Sequence, residues 1–445
     1  MSLTVALNTA VSGLLANQEA IAATSENIAN VNSPDFVRRE ARFTTDAIPN
    51  QFSGVQVDIQ RAGADQFLQA QQFSSISDAS QAGVVSDALA RIEQSLGAPG
   101  QNISFSNELD EAFAAFTQLS ATPSSTAARA VAISELDGAF AAFARTLNAI
   151  DGEITGADQR LQNRVDRVNV LLNDISNLND LAPTSNGAVD EINARLRELS
   201  ELVDVSVTRA DDGRVSVTTR DGQLLVNENS VRQLSLSIGD VAQIGFAVDN
   251  DTALVSINAS LNGGEIGGLL QLRNQDAPAL RGVVDTAARN IATAINSEYE
   301  QSAAVGSSNA GILPLVVETS GSFSVNAAIL ADPSSLAIAR PSGDALGGAN
   351  DGAGAAAIAN LGSSQEARAA AETIAQIGAA SREATERAAT AQTFQSEIES
   401  RILGETGVNL DEELSNLILF QRSFSANARV IAAVDELYAS ILNIL

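Results

Sequence analysis

The 445-residue chain has no cysteine, no histidine and no tryptophan, a single methionine and two tyrosines. All 26 of its basic residues are arginine, so lysine is missing as well. Each absence removes chemistry. Without His or Cys there is no Ser-His-Asp or Cys-His nucleophile, no imidazole or thiolate metal site and no histidine general base. Without Lys there is no Walker phosphate lysine and no Schiff base. Carboxylate chemistry of the paired-acid glycosidase type survives, but an aromatic content of 4% offers few platforms for sugar rings. A non-enzymatic protein with no cofactor and no metal site is the expectation.

Positive charge is scarce too. A formal charge of −28 argues against a nucleic-acid partner, which wants a basic stripe, and against an anionic membrane surface. No window approaches eighteen uncharged apolar residues, so no span across a bilayer is expected. The first basic residue is Arg38, which leaves no positive n-region for a cleaved signal peptide. With 45% apolar residues the chain can build real cores in two to four domains.

What is present is periodicity. Leu7, Leu14, Ile21 and Ile28 recur every seven residues, with Val11 between the first two, and predict an amphipathic helix. At the other end Leu410, Leu417, Phe424, Ile431, Tyr438 and Leu445 form a second column, joined by Leu414, Ala428 and Leu442. Asn409 is placed to cap this helix, with Glu412 at the capping-box position and Asp411 in the first turn. In "ENIANVNSPDFVRRE" (26–40), Asn30 or Asn32 in a left-handed conformation, followed by Pro34, is expected to stop the first helix. Six large side chains contribute about 1.5–3 kcal/mol each. Ordering some thirty-five residues costs about 1–2 kcal/mol apiece. An isolated helix pair is therefore marginal, and further neighbours would help it.

Between the ends, Val55, Val57 and Ile59 alternate as a strand that leads into a helix over about 65–96. A long helix over about 125–181 carries Phe140, Leu147, Ile154, Leu161, Val168 and Ile175 in one heptad column, with Arg164 interrupting the other. An alanine-rich stretch over about 355–403 predicts a third. Residues 203–260 alternate as strands with turns at Asp211-Asp212-Gly213 and Asp221-Gly222, and 306–354 is expected to be an irregular loop. "DNDT" (249–252) lacks the spaced ligands of a calcium loop, and "GGANDGAGAAA" from Gly347 has no lysine to complete a phosphate loop. They are read as a turn and as a flexible linker running into a helix. The sequons at Asn102 and Asn258 receive no role.

The two ends resemble those of bacterial flagellar axial proteins, on "ENIANVNSPDFVRRE" and on "VNLDEELSNLILFQRSFSANARVIAAVDELYASILNIL". "GVQVDIQRAGADQFLQAQ" (54–71), "GGEIGGLLQLRNQ" (263–275) and the full "VNLDEE" are similar to the FlgK family of hook-associated proteins. Asp35 and Phe36 stand where that signature usually has Gly and Tyr. The chain also passes quickly from Gln301 into a short Gly-Ser segment, so the family's outer β-rich insertion is expected to be reduced or missing. The resemblance implies a mainly α, elongated multi-domain rod with a small β insertion. Residues 1–35 and 409–445 would form a discontinuous coiled-coil domain of the inner tube. Residues 36–200 and 265–408 would form a helical rod with an N-terminal β-hairpin, and 201–264 a β-rich insertion.

It further implies a structural adaptor ring between hook and filament, exported by the flagellar type III channel without a cleaved signal. Its partners would be other copies of the chain, the hook protein, a second junction protein of the FlgL type and a FlgN-type export chaperone on the C-terminal helix. Leu7, Val11, Leu14, Ile21, Ile28, Leu410, Leu414, Leu417, Phe424, Ile431, Tyr438 and Leu442 would form the assembly interface. Asn30, Asn32, Phe36, Asn409, Asp411 and Glu412 would be signature positions. The alternatives are another axial protein (hook, rod or second junction protein) and, in a different class, a secreted carboxylate-dependent hydrolase, which two acids converging in a deep cleft would favour.

Overall fold

The computed structural model describes residues 3–33, 36–48, 51–62, 66–97, 103–227, 230–247, 254–304, 306–307, 312–341 and 348–442. The sequence around 249–252, Gly347, Asn102, Pro34, Asp35 and Leu445 lies outside them, as does the side chain of Leu442. The first part of the chain runs α1 (Leu3–Ala29), β1 (Arg39–Ile48), β2 (Gln51–Arg61), α2 (Gln66–Gln94), α3 (Phe105–Ala121), α4 (Thr126–Asn179) and α5 (Asn186–Leu202). Seven short strands follow: β3 (Val205–Arg209), β4 (Val215–Thr219), β5 (Leu224–Asn227), β6 (Ser230–Val231), β7 (Ser235–Ser237), β8 (Gln243–Ala247) and β9 (Leu254–Ser256). The chain returns through α6 (Gly264–Gln271), a π turn at Leu272–Asp276 and α7 (Ala277–Tyr299). A hairpin of β10 (Val316–Thr319) and β11 (Ser322–Val325) comes next, then α8 (Ala327–Ala331), α9 (Ala353–Asn360), α10 (Gln365–Thr406) and α11 (Leu410–Leu442).

The protein is mainly α. Its spine is α4, 54 residues and about 80 Å long at 1.5 Å per residue. Ser125 caps it by accepting from the Ala128 N–H, and the heptad columns predicted along it are buried, Ile154 partly so. Arg164, the interruption, reaches out to pair with Glu265. The other faces of α4 meet α3, α5, α6 and α7. Phe105 of α3 stacks on Phe143 at 4.2 Å, and Phe116, Phe140 and Tyr299 fill the same core. The long α2–α10 pair flanks this bundle.

Several expectations need correction. The alanine-rich stretch is two helices, because "LGSS" makes a 3-10 turn at Leu361–Ser363 and Ser364 caps α10 through the Ala367 N–H. Gly362 presses against Phe113, where an added Cβ would come within 3.2 Å of the ring. Segment 306–354 is not a loose loop where it is described: Leu315, Val325, Leu336 and Ile338 are buried, and the Tyr299 hydroxyl accepts from the Ala337 N–H at 3.1 Å. The stretch after Gly347 is no flexible linker either, since Gly352 and Gly354 lie against the carbonyls of Ser120 and Ile338. Neither Asn30 nor Asn32 is left-handed; Ser320 is the one non-glycine residue with positive φ among the described residues.

The region 203–260 forms two antiparallel sheets, ordered β3-β4-β5-β6 and β7-β8-β9. Gly213 and Gly222 supply the left-handed residues of its two predicted turns, at φ +90° and +84°. The sheets are tied to the helices by asparagines. Asn179 of α4 donates to the Val215 carbonyl and accepts from its N–H, both at 2.9 Å. Asn169 does the same to Leu234 at 2.8 Å, Asn274 to Ala242 at 3.0 and 2.9 Å, and Asn296 to Val316 at 2.8 and 2.9 Å. Asn258, the described sequon asparagine, is engaged in holding Ala242 and Ile244.

Asn179 is fully buried, so Asn179→Ala leaves a donor and an acceptor of the Val215 backbone without partners. A loss of about 2–3 kcal/mol is expected, from two bonds near 1 kcal/mol each plus the cost of stranding buried groups. Urea unfolding of the full chain measures it, and a change under about 0.5 kcal/mol, the size of a neutral surface substitution, would refute the clamp.

Candidate assembly surface

The termini pair with each other. α1 and α11 run antiparallel, as three contacts show: the Thr4 hydroxyl lies 3.2 Å from the Tyr438 hydroxyl, Gly13 lies against Asn427, and Asn27 bonds to Glu413. The face of α1 turned inward is not the one its large residues suggested. Ala10, Gly13, Asn17, Ala20, Thr24 and Asn27 are buried, spaced alternately by three and four residues. A Cβ at Gly13 would come within 2.9 Å of Asn427 Nδ2, so the backbones sit too close for bulk. Leu7, Leu14, Ile21 and Ile28 flank this stripe half-buried, and Val11 is exposed.

On α11 the half-buried column Leu417, Phe424, Ile431 and Tyr438 shares a face with Glu413, Phe420, Asn427 and Val434. That second column replaces the predicted one of Leu414 and Ala428, both of which are exposed. The eleven described side chains of the twelve expected at one interface differ in exposure. Leu417, Phe424, Ile431 and Tyr438 are half-buried against α1, as are Leu7, Leu14, Ile21 and Ile28 against α11. Leu410, Leu414 and Val11 stand outward, joined by Leu15, Ile418, Leu419, Val430, Leu437 and Ile441. On α11 these exposed apolar residues lie along the two flanks of the inner face, while Asp411, Arg422, Arg429 and Glu436 take the side opposite α1.

The β1–β2 hairpin lies over the pair. Ser12 Oγ accepts from the Val55 N–H at 3.1 Å, Gly54 adopts φ +136° against that hydroxyl, and Phe43 meets Phe420 with centroids 5.7 Å apart. Asn27 fastens all three parts. Its carboxamide donates to the Arg39 carbonyl at 2.9 Å and accepts from the Arg39 N–H at 2.8 Å, and its second N–H reaches Glu413 Oε2 at 3.0 Å. Nothing in the heptad pattern marked Asn27; its spacing from Asn17 and Ala20 on one face was the available signal.

Among the signature positions, Asn30 Nδ2 donates to the Glu26 carbonyl and its Oδ1 accepts from Ser33, which rounds off α1, while Asn32 is exposed. The Phe36 ring has the Arg39 guanidinium 5.5 Å from its centroid. Asn409 caps α11 by accepting from the Asp411 N–H at 3.0 Å. Glu412 does not complete a capping box; it accepts from Arg38 at 3.0 Å instead. Arg38 also donates its backbone N–H to Thr406, so one residue holds the joint between α10 and α11.

A cleft of about 580 Å³ opens at this joint between Phe36, Phe73, Ile402 and Val408. Its carboxylates Glu399 and Glu412 are each ion-paired, with Arg197 at 3.4 Å and Arg38 at 3.0 Å. This is the arrangement of a fastening. Glu108, Glu111 and Glu135 form one carboxylate trio elsewhere among the described residues, on α3 and α4. No described helix is long and apolar enough to cross a membrane.

Three family models match the chain. The flagellar hook-associated protein FlgK helical domain covers residues 89–311, half of the sequence. The flagellar basal body rod FlgEFG protein C-terminal model covers 400–444, and the flagella basal body rod protein model covers 7–36. These last two fall on α11 and α1. Flagellar hook-associated protein 1 of Escherichia coli K12 is 25% identical over 312 residues, with 66% of this chain and 57% of that protein covered. The chain therefore spans a little over half the length of that relative. The protein of the same name from Bacillus subtilis 168 is 24% identical and is matched over 98% of this chain and 97% of its own length. The solved structure of the flagellar hook junction protein FlgK from Burkholderia pseudomallei superposes with a TM-score of 0.61 at 14% identity, over 75% of this chain and 99% of that one. The likeness at that identity is one of fold.

Asn27→Ala should loosen the helix pair by about 3 kcal/mol, since it removes two backbone bonds and the donor to a buried carboxylate. Asn27→Asp should cost more, because it sets a second carboxylate against Glu413. Hydrogen exchange reads both effects locally: amides of α1 and Arg39 should lose protection while those of α4 keep theirs. Unchanged protection in α1 would show that Asn27 does not fasten the pair.

Proposed function

The chain belongs to the flagellar hook-associated protein FlgK family, and from that membership and its terminal helices we propose that it is a structural subunit of the bacterial flagellum that joins hook to filament as an adaptor ring. The observation that carries this reading is the row of exposed apolar residues along the flanks of α11 and on α1. Leu410, Leu414, Ile418, Leu437 and Ile441 are exposed although their helix is already paired within the chain, so they are available to a further partner. Other copies of the chain, the hook protein and a FlgL-type second junction protein are the proposed partners in the finished structure. A FlgN-type chaperone is proposed to cover the same residues of α11 before export through the flagellar type III channel, without a cleaved signal peptide.

The proposed organisation has an inner-tube domain of residues 1–35 and 409–445, a helical rod of 36–200 and 265–408, and a β-rich domain of 201–264. The contact of the β1–β2 hairpin with α1 supports assigning the hairpin to the inner part as well. No catalytic role is proposed. Glu399 and Glu412, the carboxylates of the joint cleft, are held by arginines in the manner of structural ion pairs.

A strain lacking the chain is expected to build hooks and lose filament subunits into the medium; absent hooks would mean a rod or hook subunit instead. Leu414→Asp and Leu437→Asp place charges among these exposed residues. The free chain should keep its stability within about 0.5 kcal/mol, as at ordinary surface sites, while motility fails, because burying an unpaired carboxylate between subunits costs several kcal/mol. Ile431→Asp, on the half-buried face, should destabilise the free chain itself. Full motility in both outward variants would remove the assembly role from these residues.

A further inference from the structure

Three arginines converge where the β1–β2 hairpin meets α5 and β3. Arg39 and Arg61 are cross-strand partners, and their Nη2 atoms both donate to Asp190, Arg39 to Oδ2 at 2.6 Å and Arg61 to Oδ1. Arg209 feels the charges of both Arg61 and Asp190, and donates to Asn193 Oδ1 at 2.6 Å and to the Gly213 carbonyl at 3.0 Å. Among the described residues, Glu26 is a second carboxylate beside the cluster, half-exposed and 3.8 Å from Arg39 Nε. Elsewhere in this acidic chain an arginine commonly has a carboxylate to itself, as in the two-bond pair of Arg167 with Glu198.

Two donors of the cluster are unused. Nη1 of Arg39, whose side chain is 3% exposed, and Nε of Arg61 find no acceptor among the described residues. A buried cationic N–H without an acceptor is costly, and a bound anion recovers that cost. The electrostatics agree with the geometry. Burial first, and then the charge of Arg61, push Arg209 down to about 10, and burial and Arg39 lower Arg61 despite the opposing pull of Asp190.

We propose that the Arg39–Arg61–Arg209 cluster binds a small tetrahedral oxyanion of the inorganic phosphate or sulfate class. Planar guanidinium forks match such an ion through paired N–H groups, which a single chloride cannot satisfy. Because Arg39 is also the residue clamped by Asn27, an ion seated here ties α1 and its hairpin to α5 and β3. The proposal is independent of the flagellar role.

Thermal unfolding of the full chain tests it, with phosphate in one arm and sulfate in the other titrated against chloride at constant ionic strength. A saturable rise in Tm is expected at millimolar anion, below the range where excluded salts stabilise proteins in general. The arm saturating at lower concentration identifies the preferred ion. Arg61→Gln and Arg209→Gln should each abolish the saturable rise, whereas Arg42→Gln, exposed on the same hairpin, should keep it. If the glutamine variants do not fold, phosphorus NMR of inorganic phosphate with the unaltered chain serves as the second measurement, with line broadening that sulfate competes away as the expected result. No saturable rise and no broadening, or a rise of equal size in Arg61→Gln, would overturn the proposal.

Discussion

Five helical asparagines hold this protein's non-helical parts in place, each by gripping both backbone groups of a single residue. Asn27 grips Arg39, Asn169 grips Leu234, Asn179 grips Val215, Asn274 grips Ala242 and Asn296 grips Val316. A carboxamide carries a donor and an acceptor side by side, much as the edge of a peptide unit does, so it pairs with a strand where no second strand exists. Aspartate lacks the donor and alanine lacks both. The β-sheets here are small, with two to four strands each, and sheets of that size do not stand alone in water. They persist because the long helices supply the missing edge.

The same economy explains why the ion pairs are made by arginine alone. Arg91 with Glu153, Arg167 with Glu198 and Arg289 with Glu318 each use two parallel N–H groups, a geometry that lysine cannot offer. In a chain of −28 the mean field repels, and a rod gains rigidity from contacts that fix angle as well as distance. Arg273 shows the principle in one residue: it pairs with Asp158 of α4 and donates to the carbonyls of Gly239 and Asp240, so a helix, a π turn and a loop share one guanidinium.

Large side chains made some of this legible beforehand, and small ones hid the rest. The heptads of α4 named its buried face, and Ser125 marked its start within a residue, because long periodic helices declare themselves. The helices α3 and α5 went unread although their inward faces carry Phe113, Phe116, Ile192 and Leu196; at 17 residues each, they offer few repeats. The inward stripe of α1 was misread for a different reason. A periodicity weighted by bulk selects Leu7, Leu14, Ile21 and Ile28, whereas a close antiparallel contact selects Ala10, Gly13 and Ala20. Glycine-rich and serine-rich composition likewise concealed Gly352 and Gly354, whose lack of a side chain is what allows the backbone to pack.

The inner face of α11 and its exposed aliphatics differ in kind. The inner face closes against a helix of small residues, and the polar groups of Asn27, Glu413 and Asn427 favour one alignment of the pair within the chain. The exposed aliphatics Leu414 and Ile418 lie along one flank and Leu419, Val430 and Leu437 along the other, on either side of the exposed Arg422, Arg429 and Glu436, and none has the inner face's buried polar pairings to set register. In the proposed assembly these aliphatics would supply non-directional attraction, and direction would come from the angle at which the rod presents the pair, an angle held where Arg38 spans Thr406 and Glu412.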